Sequence, residues 1–395
     1  MSIKESKVLY HATTGLPPCC LRIFRNQFVL VGTYELHKAS GVRTGSVDVY
    51  DSQLNLLKSY PTIGAVLDLK MSPFDDTLVV TAHSTGNIML WRIEYVKDGI
   101  EDANIPVFLR LQIIGNIQLF DTNILISSVH FSPSDPKLVC ITNTSGESAI
   151  TNIEIGKEIE SIIGQAVTNS YASIDQKLFV AQGEEINMMD TVVELFDESH
   201  SLECWTAEFG QLSPFENVVF TGGDDATIMA HDLRVKNKIW SNNRIHEAGV
   251  VGIKCASKNF RHYRPTSIIT GSYDDHIRSL DLRMMGDTIY PGNNVPAMKV
   301  SELNLGGGVW RFSELPESLK KTQPSNKDTL MVCCMYDGAK VVTMDEDATD
   351  QGSDYFQVQH YLKSGHESMC YGGDWSSQFI ATCSFYDKSL QLWNP

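Results

Sequence analysis

The chain has 395 residues, 42% of them hydrophobic and 20% charged, with 16 Phe, 14 Tyr and 6 Trp, a balance that excludes global disorder and provides for a sizeable core. A net charge of -16 excludes a broad nucleic-acid phosphate footprint, which depends on clustered Lys and Arg, and leaves either basic partners or an ordinary acidic surface. The opening MSIKESKVLYHATTG lacks the apolar core of a secretory signal, no stretch approaches the roughly 18 apolar residues of a membrane span, and the nine cysteines include no C-x-x-C pair; reduced core thiols and a cytoplasmic location are expected.

In chain order, one phrase recurs: a short inner strand, a second strand rich in β-branched residues, a Gly/Asp/Ser turn, and a third strand ending in Asp or Trp. The candidate inner strands are CLRIF, VLDLKMSP, ISSVHFSP, VTNSYAS, CWTAEFG, VVGIKCA, GVWRFSE and CYGGDWS, and the clearest copies of the rest occupy 218–234, 267–283 and 379–395. Each unit is too small to bury both of its faces alone, so the sheets must stack, and a closed ring of them removes exposed edges. The expected architecture is an all-β, WD-repeat β-propeller forming a single domain over 1–395. The unit at 165–196 has the turn GEE without Asp, so it is either an eighth blade or an insertion into a seven-bladed ring. The last unit stops at Trp393 without an outer strand, and SKVLYHAT, within residues 1–14, is the segment expected to close it. Two stretches, 284–305 and 313–328, break the rhythm as loop insertions, and DEDATDQGSD (345–354) reads as a solvated acidic connection.

The repeat carries a structural device in which a His from the loop before the inner strand meets an Asp six residues ahead of the third strand's Trp, bridged by Ser or Thr. His366, Thr382, Asp387 and Trp393 match it in the final unit; His246 and Asp274 match with Leu280 at the Trp position, and His200 and Asp225 with His231 there. His276 departs from the pattern, standing where the repeat usually has Thr, beside Asp275; it is either a surface base or a strand-edge residue. Gly306, Gly307 and Gly308 either bring backbone close to a ligand or give a tight turn into the next inner strand. No nucleophile elbow, P-loop, zinc-protease or dinucleotide-binding pattern occurs in a suitable context.

The phrases GSYDDHI (271–277), GGVWR (307–311), YGGDW (371–375) and SFYDKSLQLW (384–393), with Val31-Gly32-Thr33-Tyr34, Thr221-Gly222-Gly223-Asp224-Asp225 and Cys204-Trp205-Thr206-Ala207, resemble the diphthine methyl ester hydrolases, or diphthine methylesterases. The resemblance runs from about residue 28 to the C-terminus. It implies a carboxylic ester hydrolase of diphthamide biosynthesis, acting without a cofactor or metal on the methyl ester of diphthine, a modified histidine of translation elongation factor 2. Diphthine carries a trimethylammonium group beside that ester, and quaternary ammonium ions favour aromatic faces near negative charge. Tyr273, Trp310 and Tyr386, in the company of Asp274, Asp275 and Asp387, are the residues expected to hold the cation. For the hydrolysis, His276 is the candidate base, oriented by Asp275, with Arg311 or the amides of Gly306, Gly307 and Gly308 facing the developing oxyanion; Ser368 and Ser384 are possible nucleophiles. The rival reading is a non-catalytic scaffold for trafficking or ubiquitin-transfer complexes.

Overall fold

The computed structural model describes residues 3, 5–96, 108–153, 193–283, 298–321, 327–345 and 355–395. Strands such as Leu78–His83 (LVVTAH) and Ser267–Ser272 (SIITGS) are buried along their whole length, as β-branched residues packed on both sheet faces should be. Among the described residues seven antiparallel sheets result, each of four strands except the first, which carries an extra short hairpin strand, Glu35–His37, on Val42–Asp51. Their inner strands are, in chain order, Pro18–Phe24, Val66–Met71, Ile126–Phe131, Cys204–Phe209, Val250–Cys255, Val309–Glu314 and Cys370–Trp375. Each packs on the next and the seventh packs on the first, so the ring is closed.

Apolar side chains fill the gaps between blades. Leu30, Val47 and Val49 of blade 1 meet Leu69, Val79 and Trp91 of blade 2, all fully buried. At roughly 1.5–3 kcal/mol for each buried large aliphatic side chain, these interfaces make the isolated blade untenable and the ring stable. Closure follows expectation: Lys7–Thr13 pairs antiparallel with Ser389–Asn394 as the outer strand of blade 7.

The blade count resolves to seven. Glu194–Leu195 is the outer strand of blade 3, paired with Ser148–Asn152, so the proposed eighth unit interrupts that blade between its third and fourth strands. Its suggested inner strand and GEE turn lie outside the described residues. The 284–305 insertion also needs correction, because Met298–Asn304 is the outer strand of blade 5; the stretch from 284 to 297 lies outside the described residues. In 313–328, Ser313 and Glu314 finish an inner strand and Glu317–Lys320 forms one helical turn.

The His–Asp device is present in three forms. His366 Nε2 contacts Thr382 Oγ1 at 2.8 Å and Trp393 Nε1 donates to the same hydroxyl at 3.1 Å, while Asp387 joins through Ser384. In blade 4 His200 meets Asp225 directly at 2.9 Å and Thr221 at 2.9 Å. In blade 5 His246 reaches Thr270, but Arg278 takes the Asp274 carboxylate at 2.8 Å. All nine cysteines are free and eight are buried.

Candidate active site

Four antiparallel strands per blade bring the chain back to the end where it began, so all seven inner strands start at one rim of the central channel. The turns between second and third strands open on that same rim. Each inner strand also carries a bulge after its first residue, which turns one extra residue out of the ladder. In blades 4, 6 and 7 that residue is aromatic: Trp205, Trp310 and Tyr371. In the other four it is Cys19, Leu67, Ser127 or Val251.

The aromatic bulge residues make one cluster. Trp310 lies 5.9 Å from Trp205, 5.7 Å from Tyr273 and 4.9 Å from Tyr371, between ring centres. Tyr371 continues to Phe385 at 5.7 Å, and Phe385 to Tyr386 at 5.0 Å and Tyr34 at 5.9 Å. The three aromatic residues singled out in the sequence thus fall on a single path centred on Trp310, with Tyr386 at its exposed end (71% exposed). Asp224 accepts the Trp205 indole N–H at 3.0 Å. Burial pushes the Tyr273 phenol well above its usual range, and the nearby Asp224 and Glu203 carboxylates push it the same way.

Beneath the cluster a cavity of about 420 Å³ is lined by Trp205 and Trp310 above and by charged inner-strand residues below. Arg311, next to Trp310, reaches from blade 6 to blade 2, where its Nη1 donates to Asp68 Oδ1 at 2.7 Å and its Nη2 to Leu67 O at 3.4 Å. The blades between them have Gly372 and Cys20 at the corresponding position, which leaves the guanidinium its path. Asp68 is fully buried and also accepts the Leu69 N–H at 2.9 Å and the Val129 N–H at 3.2 Å. Burial alone would raise its pKa; the Arg311 guanidinium, helped by Lys70 and Arg22, outweighs this and holds the carboxyl well below the usual range.

The remaining sequence candidates take other positions. His276 starts the third strand of blade 5, and its Nδ1 donates to the Asp274 backbone carbonyl at 2.6 Å, leaving Nε2 as the acceptor nitrogen. The carboxylate beside it is Asp274, 3.5 Å away; among the described residues Asp275 makes no hydrogen bond to it and occupies the left-handed turn position at φ 67°. Asp274 and Asp387 are occupied within their own turns, by Arg278 and by Ser384 with the Glu367 amide. The Gly306 amide donates to Asn304 Oδ1, a Cβ on Gly307 would come within 2.4 Å of the Cys334 carbonyl, and one on Gly308 would meet Met335 at 2.6 Å and Tyr273 at 3.3 Å, so these glycines serve the turn and its packing. Ser384 bridges His366 and Asp387, and Ser368 Oγ accepts the Tyr386 N–H.

Comparison with known proteins bears on the family and the fold. A Saccharomyces cerevisiae protein named diphthine methyltransferase is 56% identical over 393 residues, 99% of each chain. The chain belongs to the diphthine methyltransferase family. A Schizosaccharomyces pombe protein of that name is 29% identical over 92% of this chain and 90% of its own, and a Dictyostelium discoideum homologue is 25% identical over 94% of each. No protein-family model matches the chain. A chain in a crystal structure of the mitotic checkpoint complex shares the fold, with a TM-score of 0.63 at 11% identity over 100% of this chain and 94% of that one.

Two features of the candidate site go beyond the residues that the sequence singles out. Trp205 and Tyr371 each stand second in their inner strand, as Trp310 does. That shared register was the available signal. The charged residues below them gave none, because ion pairing across a ring between blades 2 and 6 depends on closure and not on local spacing.

Proposed function

We propose that the protein hydrolyses the methyl ester of diphthine on translation elongation factor 2, in the cytoplasm, releasing methanol and a carboxylate for diphthamide biosynthesis. The observation that carries the reading is the aromatic cluster around Trp310, set beside Asp224 and Glu203 and above a cavity lined by cations. Diphthine ester needs that combination: aromatic faces for its trimethylammonium group, and positive charge near the ester carbonyl as it becomes an oxyanion. Tyr273, Trp310 and Tyr386 hold the cation in this reading, joined by Trp205 and Tyr371. Arg311 supplies positive charge toward the ester.

The family name speaks of methyl transfer, and in the proposed reaction water takes the acyl group while the methyl leaves as methanol. Purified protein incubated with elongation factor 2 carrying methylated diphthine should therefore release methanol without any added methyl donor. Persistence of the ester in that assay, or loss only when a second protein is added, would return the chain to the scaffold class. His276→Ala in the same assay tests the base that the sequence offers, whose neighbouring carboxylate is Asp274; undiminished turnover moves the base elsewhere.

No helix among the described residues is long and apolar enough to cross a membrane.

A further inference from the structure

Three residues beyond each bulge, the inner strands of blades 1 to 5 place Arg22, Lys70, His130, Glu208 and Lys254, and all five line the cavity under Trp310. Their pairing is uneven. Lys254 lies 3.0 Å from both Glu208 and Glu314, and together these carboxylates neutralise it. His130 Nε2 accepts the Ala207 N–H at 3.2 Å, so its ring lone pair is occupied and the imidazole is a poor base. Lys70 Nζ is 3.6 Å from Asp68 Oδ2, beyond hydrogen-bond reach, and that carboxylate is already shared with Arg311. Arg22 Nη1 donates to the neighbouring Leu21 carbonyl, and among the described residues no carboxylate pairs with Arg22. The Nε of Arg311 is buried without a partner among the described residues.

We propose that Lys70 is the general base of the hydrolysis and that Arg22 and Arg311 hold the ester carbonyl oxygen, with the trimethylammonium group resting against Trp310. The proposal rests on the hydrolase reading above. Cation and ester are neighbours on diphthine, so their subsites must adjoin. Trp310 and Lys70 line one cavity, and Arg311 follows Trp310 directly in sequence.

The neutral Lys70 amine takes a proton from water as the hydroxyl oxygen attacks the ester carbon. The carbonyl π pair moves to oxygen and is held by the guanidinium groups. Collapse of the tetrahedral intermediate breaks the bond to the methoxy oxygen, which takes the proton from the Lys70 ammonium and leaves as methanol. The carboxylic acid then ionises to solvent, and Lys70 is neutral again.

The groups facing Lys70 suit that cycle. Burial lowers its pKa to about 7, with Arg22 and Arg311 acting in the same direction and Asp68 and Glu208 against it; His130 completes the surroundings and is itself held neutral by burial, with Lys70 acting in the same direction.

The test uses the full chain and methylated elongation factor 2, reading methanol release across pH. The wild-type rate should rise about tenfold per pH unit below about 7 and then level. Lys70→Met should lower kcat by roughly 100-fold or more at unchanged KM, removing the rising limb. Lys70→Arg should be equally slow, because a guanidinium does not release its proton near neutral pH. If Lys70→Met melts early, Lys70→Arg, which keeps a long basic side chain at the site, decides. Near wild-type kcat in a folded Lys70 variant, or a rising limb that survives in it, overturns the role of Lys70 while leaving the hydrolase reading standing. A wild-type protein that releases no methanol overturns both.

Discussion

Replacing Trp310 by Leu tests whether the cluster recognises charge or merely greasy surface. The indole is in ring contact with Trp205, Tyr273 and Tyr371 at 4.9–5.9 Å between centres, so it is the common neighbour of the cluster. A quaternary ammonium on a desolvated indole gains about 2 kcal/mol, and each 1.4 kcal/mol is tenfold, so Trp310→Leu should raise KM roughly 30-fold for the natural substrate. Leu keeps much of the apolar area, so a substrate analogue with a neutral tert-butyl group in place of the trimethylammonium group should lose far less. The assay is methanol release from both substrates by wild type and variant, with a thermal melt to confirm the fold. Trp310→Phe should fall between them, since a smaller ring face remains. If the variant weakens both substrates equally, cation recognition by Trp310 is refuted.

Deleting residues 1–14 removes six cross-strand pairs from blade 7. At roughly 0.2–1 kcal/mol each this costs on the order of 3 kcal/mol, or about 4 °C in Tm at the usual unfolding entropy for a chain of this size; an unchanged melt would contradict closure by that strand. Four buried histidines set the acid side of stability: burial brings His83 and His366 down to about 4, and His231 and His246 to about 3. Their folded pKa values lie below the unfolded value, so the fold holds them neutral and is most favoured above about pH 6.5. As pH falls from 6.5 toward 3–4 the unfolded chain binds the extra protons, with a loss of up to about 2 kcal/mol per histidine by pH 5. Asp225, held at about 2 against burial by His200, keeps its contribution until pH falls below about 4. Urea midpoints should accordingly drop between pH 7.5 and pH 5, and equal midpoints would show that these imidazoles are not buried neutral.

The propeller was legible because its information is local. Phrases such as TGGDDATI and TGSYDDHI combine a β-branched strand with a turn that only certain residues make, and seven sheets of that kind have few ways to bury their faces. The closing strand was legible for the same reason: the last blade lacked a strand and the N-terminus had one. The choice between seven and eight blades stayed open because of the long stretch between the third and fourth strands of blade 3, where apolar alternation alone does not say whether a segment pairs within the ring. Trp310, Tyr273 and Tyr386 were placed at one rim because turns and inner-strand starts share an end of every blade. Asp275 was misassigned as the partner of His276 because sequence adjacency says nothing about direction; a left-handed turn leaves the contact to Asp274.

In the proposed reading the same geometry separates binding from chemistry by depth. A bulge is the one place in an antiparallel ladder where a residue is free of the alternation between faces, so the rim can be aromatic in three blades without disturbing the packing between them. One residue further in, alternation returns and the side chain lies near the next blade, which is why Asp68 is fully buried and needs Arg311 to remain charged. A carboxylate there would be costly if unpaired; paired across the ring, it fixes a guanidinium next to Trp310 and leaves Lys70 close to cations with only a distant share of its negative charge. The ion pair and the lowered lysine are therefore one arrangement, and Asp68→Asn should disturb both the position of Arg311 and the pH at which Lys70 loses its proton.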